Sequence, residues 1–194
     1  MMKFQINKTE LQRITKDLGI RVTALPTLKS KESALRYEIK KIRANYKILE
    51  EQYALLKEEF ADLYPLYSDF NYKLEIDEIH TSSKKIAGVA IATLEDISFK
   101  HPPLILFTYP SWFLDAIKKL EEATQKRVAL LVEQEKIAIL EHARKKTTQK
   151  VNLYEKVQIP AFKNAIITIK RFIEDEENLN RASQKIIKKR VATL

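Results

Sequence analysis

The sequence predicts a mostly α-helical protein, a long antiparallel two-helix coiled coil with a small β-hairpin insert at the turn. Three observations support this prediction. Apolar residues between positions 28 and 63 alternate at spacings of three and four, which is the repeat of a coiled coil. The 194 residues include only two glycines and six prolines, and 31% are charged. This composition favours a few long helices over folds that are rich in turns.

The first long helix is predicted from an apolar seam between Leu28 and Leu63 that only Glu32 interrupts. The seam residues are Leu28, Leu35, Ile39, Ile42, Tyr46, Leu49, Tyr53, Leu56, Phe60 and Leu63. Glycine and proline are absent between Pro26 and Pro65. We expect Pro26 in the first turn of this helix, where its missing N–H costs nothing.

Two segments flank this helix. Residues 7–18 have helical spacing, and Asn7 is expected to cap their first turn. This segment either ends at Gly19 or continues into the long helix. Beyond Leu63 the helical spacing continues, with a kink expected at Pro65. The residues that continue it are Tyr67, Phe70 and Leu74.

The periodicity changes between His80 and Pro110. Lys85–Ile91 is short, apolar and partly β-branched, Ile97–Phe99 alternates, and Thr93–Asp96 between them has the composition of a turn. We therefore expect a β-hairpin with its turn at Thr93–Asp96. Leu104–Phe107 forms either another strand or a packed loop.

Helical spacing resumes near residue 111 and continues almost to the end of the chain. Between residues 138 and 151 the expected core positions are polar and include His142 and Lys145, so we expect the pairing to loosen or to shift phase there. Pro160 removes one helical hydrogen bond. Because the seam spacing resumes after it, we expect a bend at Pro160 and no stop.

These predictions divide the chain into three segments. Residues 1–78 form an N-terminal coiled-coil helix with a basic lead-in over residues 1–26, residues 79–110 form the hairpin and loop insert, and residues 111–194 form the C-terminal coiled-coil helix. The second helix folds back on the first. We expect Leu28 to lie within about one helical turn of Ile173.

Positive charge is concentrated at the two ends of the chain. Residues 1–31 contain seven Lys/Arg and two acidic residues, and residues 181–194 contain five Lys/Arg and no acidic residue. The other residues sum to −1, whereas the whole chain carries +9. An antiparallel fold brings both basic ends to one tip, which should face an acidic partner.

Several kinds of chemistry are excluded or disfavoured. Gly19 and Gly88 are too far apart to form a phosphate-binding loop or a dinucleotide fingerprint. The three histidines fall in unrelated elements, and the acidic run Glu174–Glu177 spreads around a helix, so we expect no metal site, no cofactor and no catalytic residues. The sequence contains no cysteine and no apolar run long enough to span a bilayer, and its first residues lack the apolar run of a signal peptide, so we expect a cytoplasmic protein without membrane insertion.

The segment Lys150–Pro160 carries a distinctive motif, Val-Asn followed by Glu155 and by Ile-Pro. It resembles the central-stalk D subunit of V-type and archaeal-type rotary ATPases, in its bacterial branch, although Lys150 replaces the arginine of the family motif. Three other stretches agree in the same order, namely Leu25–Lys29, Ile86–Val89 and Thr108–Trp112. The residues that match the family, and are expected at partner interfaces, are Pro26, Thr27, Gly88, Val89, Val151, Asn152, Glu155, Ile159 and Pro160.

The resemblance implies a central rotor shaft that transmits torque between an ATP-hydrolysing or ATP-synthesising head and a proton- or sodium-translocating membrane rotor. It implies a single, non-catalytic copy whose partners are the head A and B subunits, the small F subunit of the central stalk and a membrane-side rotor adaptor. No nucleic acid is expected, and the complex is peripheral to the membrane on the cytoplasmic side. The family places both chain ends inside the head, and the basic tip is expected there: Arg181, Lys185, Lys188, Lys189 and Arg190.

Two alternatives remain open from the residues themselves. A prefoldin-like holding chaperone also combines antiparallel helices with β-hairpins, but its tips expose apolar residues, whereas this tip is expected to be basic. A basic helical hairpin that binds nucleic acid is the other alternative. Lys/Arg clusters bind phosphate with little geometric demand, but no base-reading motif accompanies them here.

Overall fold

The computed structural model describes residues 4–63, 70, 72–103 and 109–191, without the side chains of Asp62, Leu63 and Arg190. Its elements in chain order are helix α1 (Lys8–Leu63), strand β1 (Glu75–Ile86), strand β2 (Val89–Lys100), helix α2 (Phe113–Asn152), a π-helical segment (Leu153–Gln158) and helix α3 (Ile159–Val191). The long helices and the two-stranded antiparallel hairpin between them confirm the predicted fold class.

Helix α1 begins where the sequence indicates. The amide of Glu10 donates to Asn7 Oδ1 at 2.6 Å, and the amide of Leu11 donates to the Asn7 carbonyl at 3.1 Å, which confirms the predicted cap. The helix then continues through Gly19 and Pro26 without a break. The continuous helix is therefore the correct alternative, and the prediction that Pro26 occupies the first turn is wrong.

Buried side chains on both sides of Pro26 explain why α1 tolerates a proline. A proline inside a helix costs about 3 kcal/mol, because one hydrogen bond is lost and the ring clashes with the preceding turn. Ile14 on one side and Leu35 on the other are almost completely buried. Burial of each such side chain contributes about 1.5–3 kcal/mol, so the packing on either side offsets the lost bond.

The chain divides into two compact units. The first unit comprises Met1–Glu32 and Lys146–Leu194, and the second comprises Ser33–Lys145. Both basic ends of the chain therefore belong to the first unit, and the hairpin belongs to the second.

The first unit contains an antiparallel pair of helical segments. A buried cluster of its core consists of Ile14, Phe162, Ala165 and Ile169. Lys8 Nζ lies 2.9 Å from Glu177 Oε1, and Lys29 Nζ lies 2.6 Å from Glu155 Oε1. Because the partner's number falls as the number on α1 rises, the two segments run in opposite directions.

The second unit combines another antiparallel pair of helical segments with the hairpin. One buried cluster of its core consists of Leu35, Ile39, Ile42, Ile91 and Leu140. Arg43 forms an ion pair with Glu141, and Lys119 Nζ lies 3.6 Å from Glu59 Oε2. Since Ile91 lies on β2, the hairpin supplies part of the apolar surface that covers the helices.

The register within the first unit differs from the predicted one. We expected Leu28 close to Ile173, but Leu28 lines a groove with Tyr154, and Ile173 packs against the core around Ile14. Helix α1 is continuous from Lys8, whereas the predicted register assumed a long helix that starts at Pro26. Its additional N-terminal turns occupy the partner surface that the prediction had assigned to Leu28.

The predicted continuation of the seam beyond α1 is wrong. Phe70 and Leu74 are not helical, and β1 begins at Glu75, ahead of the predicted start of the insert. Phe70 instead contacts aromatic residues, and its ring centroid lies 5.0 Å from that of Phe113 at the start of α2. Four sequence predictions fall outside the described residues, those for Pro65, Tyr67, Leu104–Phe107 and Thr108.

The insert is a β-hairpin, but its turn lies elsewhere than predicted. Ile86 pairs with Val89 across the two-residue turn Ala87–Gly88. Both turn residues have positive φ, at 48° and 77°, as required by the type I′ turn that suits the twist of paired strands. Thr93–Asp96 lies within β2. The run Lys85–Ile91 therefore straddles the turn and does not form a single strand.

The buried face of α2 also differs from the predicted one. His142 and Lys145 are exposed, whereas Leu140 and Thr147 are buried. The buried positions between Lys136 and Val151 are therefore out of phase with His142 and Lys145, which agrees with the predicted shift of phase. The seam on this helix passes through Lys136, Leu140, Ala143, Thr147 and Val151.

Replacing Leu35 with alanine is expected to lower the free energy of unfolding by about 2–5 kcal/mol, because the lost side chain leaves a cavity in the second unit. Leu55→Ala on the same helix, at a position that is 62% exposed, is the matched control and should change it by less than about 0.5 kcal/mol. Urea unfolding followed by circular dichroism measures both values. Equal losses in the two variants would contradict the placement of Leu35 in the core.

Candidate functional site

Most of the residues that match the family motif lie in the first unit. Pro26 and Thr27 are on α1. The others in this unit follow one another from the end of α2 to the start of α3, and are Val151, Asn152, Glu155, Ile159 and Pro160. Gly88 and Val89 belong to the second unit, where Gly88 completes the hairpin turn and Val89 packs against the core.

The π-helical segment is explained by Pro160. The amide of Ile159 donates to the carbonyl of Tyr154, five residues earlier. In a regular α-helix the ring of Pro160 would clash with the carbonyl of Lys156, and that carbonyl would lose its donor. A π-helical turn changes this geometry locally. The helix continues past Pro160 without a stop, as predicted, whereas the π-helical segment is not indicated by the sequence pattern.

Arg21 connects α1 to this segment. Its Nε donates to Gln158 Oε1 at 2.7 Å, and one terminal nitrogen donates to the Asp17 carbonyl at 2.9 Å. The guanidinium carbon lies 4.6 Å from the centroid of the Phe162 ring, within the range of a cation–π interaction. The sequence pattern does not single out Arg21, because only a helix that continues through Gly19 brings it opposite the π-helical segment.

Polar contacts join the same two segments near Glu155. Lys29 Nζ lies 2.6 Å from Glu155 Oε1, and both side chains are about half exposed. The hydroxyl of Thr148 donates to Glu32 Oε1 at 3.0 Å. The glutamate that interrupts the apolar seam thus has a polar partner on the facing helix. Exposed ion pairs contribute about 0–1 kcal/mol, so these contacts define the register more than they stabilise the fold.

A groove of about 650 Å³ lies between the two motif segments. The residues that line it are Ile20, Thr23, Ala24, Thr27, Leu28, Lys150 and Tyr154. Its lining includes one charged side chain, Lys150, and neither a carboxylate nor an imidazole. The groove therefore offers a contact surface and lacks the paired groups of acid–base catalysis.

The basic tip lies on α3, which extends to Val191. Four of its residues are exposed, namely Arg181, Lys185, Lys188 and Lys189. They follow Glu177, whose ion pair with Lys8 joins the start of α1 to α3. The side chain of Arg190 is not among those described.

Large apolar side chains are exposed among these basic residues. Leu179 and Val191 are each 68% exposed, and Ile186 and Ile187 are more than half exposed. The exposed surface of this tip is therefore basic and apolar at once, so the expected contrast with the apolar tips of prefoldin-like chaperones does not hold. The signal was present in the sequence, because Leu179 and Ile186 are one heptad apart. Exposed apolar side chains that adjoin polar ones are typical of interaction surfaces.

The described histidines do not form a metal centre. Within residues 4–63, 70, 72–103 and 109–191, no three His, Cys, Asp or Glu side chains are arranged to hold a metal ion. His101 Nδ1 lies 2.9 Å from the Tyr72 hydroxyl. Burial raises the pKa of Tyr72, so its hydroxyl stays protonated and can donate this bond. The same ranges contain no helix that is long and apolar enough to cross a membrane.

Comparison with known proteins identifies the family. A family model described as the D subunit of ATP synthase matches residues 10–189. The chain belongs to the ATP synthase D-subunit family. The V-type ATP synthase D subunit of Borreliella burgdorferi is 31% identical over 191 residues, which cover 97% of this chain and 95% of that protein. This result confirms the resemblance that was inferred from Lys150–Pro160.

Two further relatives of this family are similar over much of their length. The V-type ATP synthase D subunit of Chlamydia pneumoniae is 27% identical over 97% of this chain and 90% of that protein. The V-type ATP synthase D subunit of Chlamydia trachomatis serovar L2 is 25% identical over 86% of this chain and 85% of that protein. The similarity to these relatives therefore includes the helices and the hairpin.

The ion pair at the base of the tip gives a pH prediction. The hydrogen bond and the charge of Lys8 lower the pKa of Glu177, and Glu177 raises the pKa of Lys8. Lys8→Met is therefore expected to raise the pKa of Glu177 towards its ordinary value, as measured by carbon-detected NMR titration. Lys16→Met is the control and should leave it unchanged. An unchanged Glu177 pKa in Lys8→Met would show that the pair does not form in solution.

The signs of these shifts define when the pair stabilises the fold. The lowered pKa of Glu177 contributes stability above the unfolded-state pKa, and this contribution is lost as pH falls through the native pKa. The raised pKa of Lys8 contributes stability at pH values below the ordinary lysine pKa of 10.5. This contribution is lost as pH rises through the native pKa. Both contributions are present around neutral pH.

Proposed function

We propose that this chain is the central rotor shaft of a V-type rotary ATPase. It transmits torque between the head that hydrolyses or synthesises ATP and the membrane rotor that translocates protons or sodium ions. The observation that carries the proposal is the D-subunit family match over residues 10–189, supported by relatives that are named as D subunits of V-type ATP synthases. In this role the chain is non-catalytic and binds no cofactor.

The proposal includes specific partners. One copy of the shaft contacts the head A and B subunits, the small F subunit of the central stalk and a membrane-side rotor adaptor, and binds no nucleic acid. It is peripheral to the membrane on the cytoplasmic side. Residues 1–78, 79–110 and 111–194 are the functional segments of this proposal, and the groove beside Thr27 and Lys150 is one of its partner surfaces.

The helices have properties that torque transmission requires. Helix α1 continues through Gly19 and Pro26, and α2 continues into α3 through the π-helical segment. In each unit, apolar seam residues and cross-helix ion pairs join the facing helical segments. Twisting one segment against the other would expose this buried apolar surface, and the cost of that exposure resists the twist.

The tip is suited to contact with a surrounding protein. Its exposed surface combines Arg181 and Lys185 with the apolar Leu179 and Ile186. Apolar side chains supply burial at an interface, and charged ones supply orientation and speed of encounter. We propose the inner wall of the A and B head as this partner. Family membership favours the shaft over a prefoldin-like chaperone or a nucleic-acid-binding hairpin.

Neutralising the basic tip is expected to weaken assembly with the head. The variant changes Arg181, Lys185, Lys188, Lys189 and Arg190 to glutamine. Its affinity for reconstituted A and B subunits should fall by about tenfold or more at low salt, and the difference should shrink as salt screens the charges. Biolayer interferometry measures the affinity, and a coupled assay measures ATP hydrolysis. The isolated chain should hydrolyse no ATP in either form.

A charge-matched control separates this effect from net charge. It changes five exposed lysines of the second unit to glutamine, which are Lys41, Lys73, Lys84, Lys85 and Lys100. The control should bind the head with an affinity near that of the unchanged chain. If the tip variant also kept full affinity at low and high salt, the charge of the tip would have no role in assembly.

The apolar tip residues give an independent prediction. Leu179→Ser with Ile186→Ser should weaken binding to the head at both salt concentrations, because apolar burial is not screened by ions. The melting temperature of the isolated chain should change little, since both side chains are exposed. Thermal melting by circular dichroism and the same binding assay provide the measurements. Unchanged binding would show that these residues face solvent in the assembly.

A further inference from the structure

A row of cations lies along one flank of α1 in the second unit. Arg36, Lys40, Arg43 and Lys47, here called the cation stripe, are spaced four, three and four residues apart. At about 100° per residue they fall within an arc of about 60°, centred about 100° from the buried seam. The stripe is about 16 Å long. It therefore follows the heptad repeat of the coil on a side that the seam does not bury.

The stripe borders a small cavity between the two helices. The cavity has a volume of about 270 Å³, and its lining residues are Arg36, Ile39, Lys40, Arg43, Glu141 and Arg144. All of these residues lie on α1 or α2, so the hairpin does not line it. The floor includes the buried Ile39, and the rim is formed mainly by cationic side chains.

The facing helix supplies little negative charge to this cavity. Its lining includes one carboxylate, Glu141, which forms the ion pair with Arg43. Arg144 on the same helix adds another positive charge. Among the residues that the structure describes, Lys40, Lys47 and Arg144 form no ion pair. The local charge is therefore strongly positive although one acid is present.

This imbalance is unusual for the flank of a coiled coil. Charges beside a seam commonly pair with opposite charges on the facing helix, and like charges along one flank repel each other. Here α1 presents cations at heptad spacing, whereas the α2 residues that line the cavity are one acid, Glu141, and one further cation, Arg144. Lys40 and Lys47 are both exposed at these positions. Their spacing suits an anionic partner outside the coil.

We propose that the cation stripe binds an acidic helix of a partner protein, whose Asp or Glu side chains recur at the same four-three-four spacing. Such a helix would lie along the groove between α1 and α2, with a small side chain against Ile39 and carboxylates towards Lys40 and Lys47. The site lies in a different unit from the basic tip. It goes beyond the proposed shaft function and does not depend on it.

The geometry favours a helix over nucleic acid. Glu141 stands within the cavity and would repel a phosphate backbone, which carries a charge at every nucleotide, whereas the carboxylates of a helix are spaced apart and can be directed towards the cations and away from Glu141. Tyr37 is exposed, but at about 100° per residue it lies about 60° to 120° from the stripe residues and is not interleaved among them. The stripe thus lacks the aromatic platform on which single-stranded bases stack.

The test uses the full chain and a synthetic probe. The probe is a fluorescein-labelled, alanine-based helical peptide with glutamates at the spacing of the stripe. A second peptide has the same composition but glutamates spread around the helix. Fluorescence anisotropy at low and moderate salt gives the affinities. The unchanged chain should bind the first peptide at least about fivefold more tightly than the second.

Two charge-reversal variants locate the site. Lys40→Glu with Lys47→Glu changes the stripe and should weaken binding of the first peptide by about tenfold or more, which is about 1.4 kcal/mol or more. Lys41→Glu with Lys84→Glu makes the same charge change at exposed positions away from the stripe and should weaken it less than threefold. Lys40→Gln with Lys47→Gln gives a smaller loss and serves if the reversed stripe variant does not fold by circular dichroism.

Three outcomes would overturn the proposal. Equal losses in the two reversal variants would show an effect of net charge alone. Equal binding of the two peptides would show that spacing is not recognised. Tighter binding of a single-stranded DNA of equal charge, lost only in the stripe variant, would assign the stripe to nucleic acid. The variant with the five basic tip residues changed to glutamine should bind the first peptide as tightly as the unchanged chain does. Failure of the stripe proposal can therefore be distinguished from failure of the shaft proposal.

Discussion

The burial of an apolar seam is the constraint on which both units depend. A helix as long as α1 is not stable in water unless one face is covered, because propensity alone stabilises it too little. In the first unit Ile14 and Ile169 are covered in this way, and in the second unit Leu35 and Leu140. This packing explains why Gly19, a proline and a seam glutamate can all be accommodated in a single continuous helix.

Polar groups within the seam are tolerated because each has a nearby partner. Glu32 accepts a hydrogen bond from Thr148. Lys136 is largely buried, and its Nζ lies 2.7 Å from Glu133 Oε1 on the same helix. An unpaired buried charge would cost several kcal/mol, whereas a paired one can specify the alignment of two helices. The seam therefore combines apolar burial for stability with a few polar positions that favour one register.

Features that depend on local pattern were predictable from the sequence. The seam of α1, the Asn7 cap and the existence of the hairpin each follow from residues that are close together. Features that depend on distant contacts were not. The observed register of the first unit differs from the predicted one because α1 is already helical from Lys8. Phe70 fits the helical spacing in the sequence, but it is not helical and contacts aromatic residues such as Phe113. The π-helical turn was not predictable either, because it depends both on Pro160 and on a helix that continues on each side of Pro160.

The positive charge at the two ends of the chain was predictable from the sequence, whereas the positive charge of the cation stripe was not. The central residues sum to almost zero, which suggested a neutral surface there. That sum combines acidic runs such as Glu174–Glu177 with the separate cations of the stripe. Net charge over a long segment averages around the helix, but a partner contacts only one flank of it. The basic tip is therefore visible in the composition of the chain ends, whereas the stripe becomes visible only when the residues are placed on the helix.

The hairpin turn is a compromise between backbone and side chain. Ala87 adopts a positive φ of 48°, where an alanine is less stable than glycine or asparagine by about 1 kcal/mol. Its methyl group nevertheless packs against the apolar core around Leu35, Ile39 and Leu140. Glycine would relax the backbone and remove that contact, and asparagine would bring an amide against an apolar surface. Alanine is therefore favoured at position 87 by the contact of its methyl group with the core, although the backbone of the turn alone would favour glycine or asparagine.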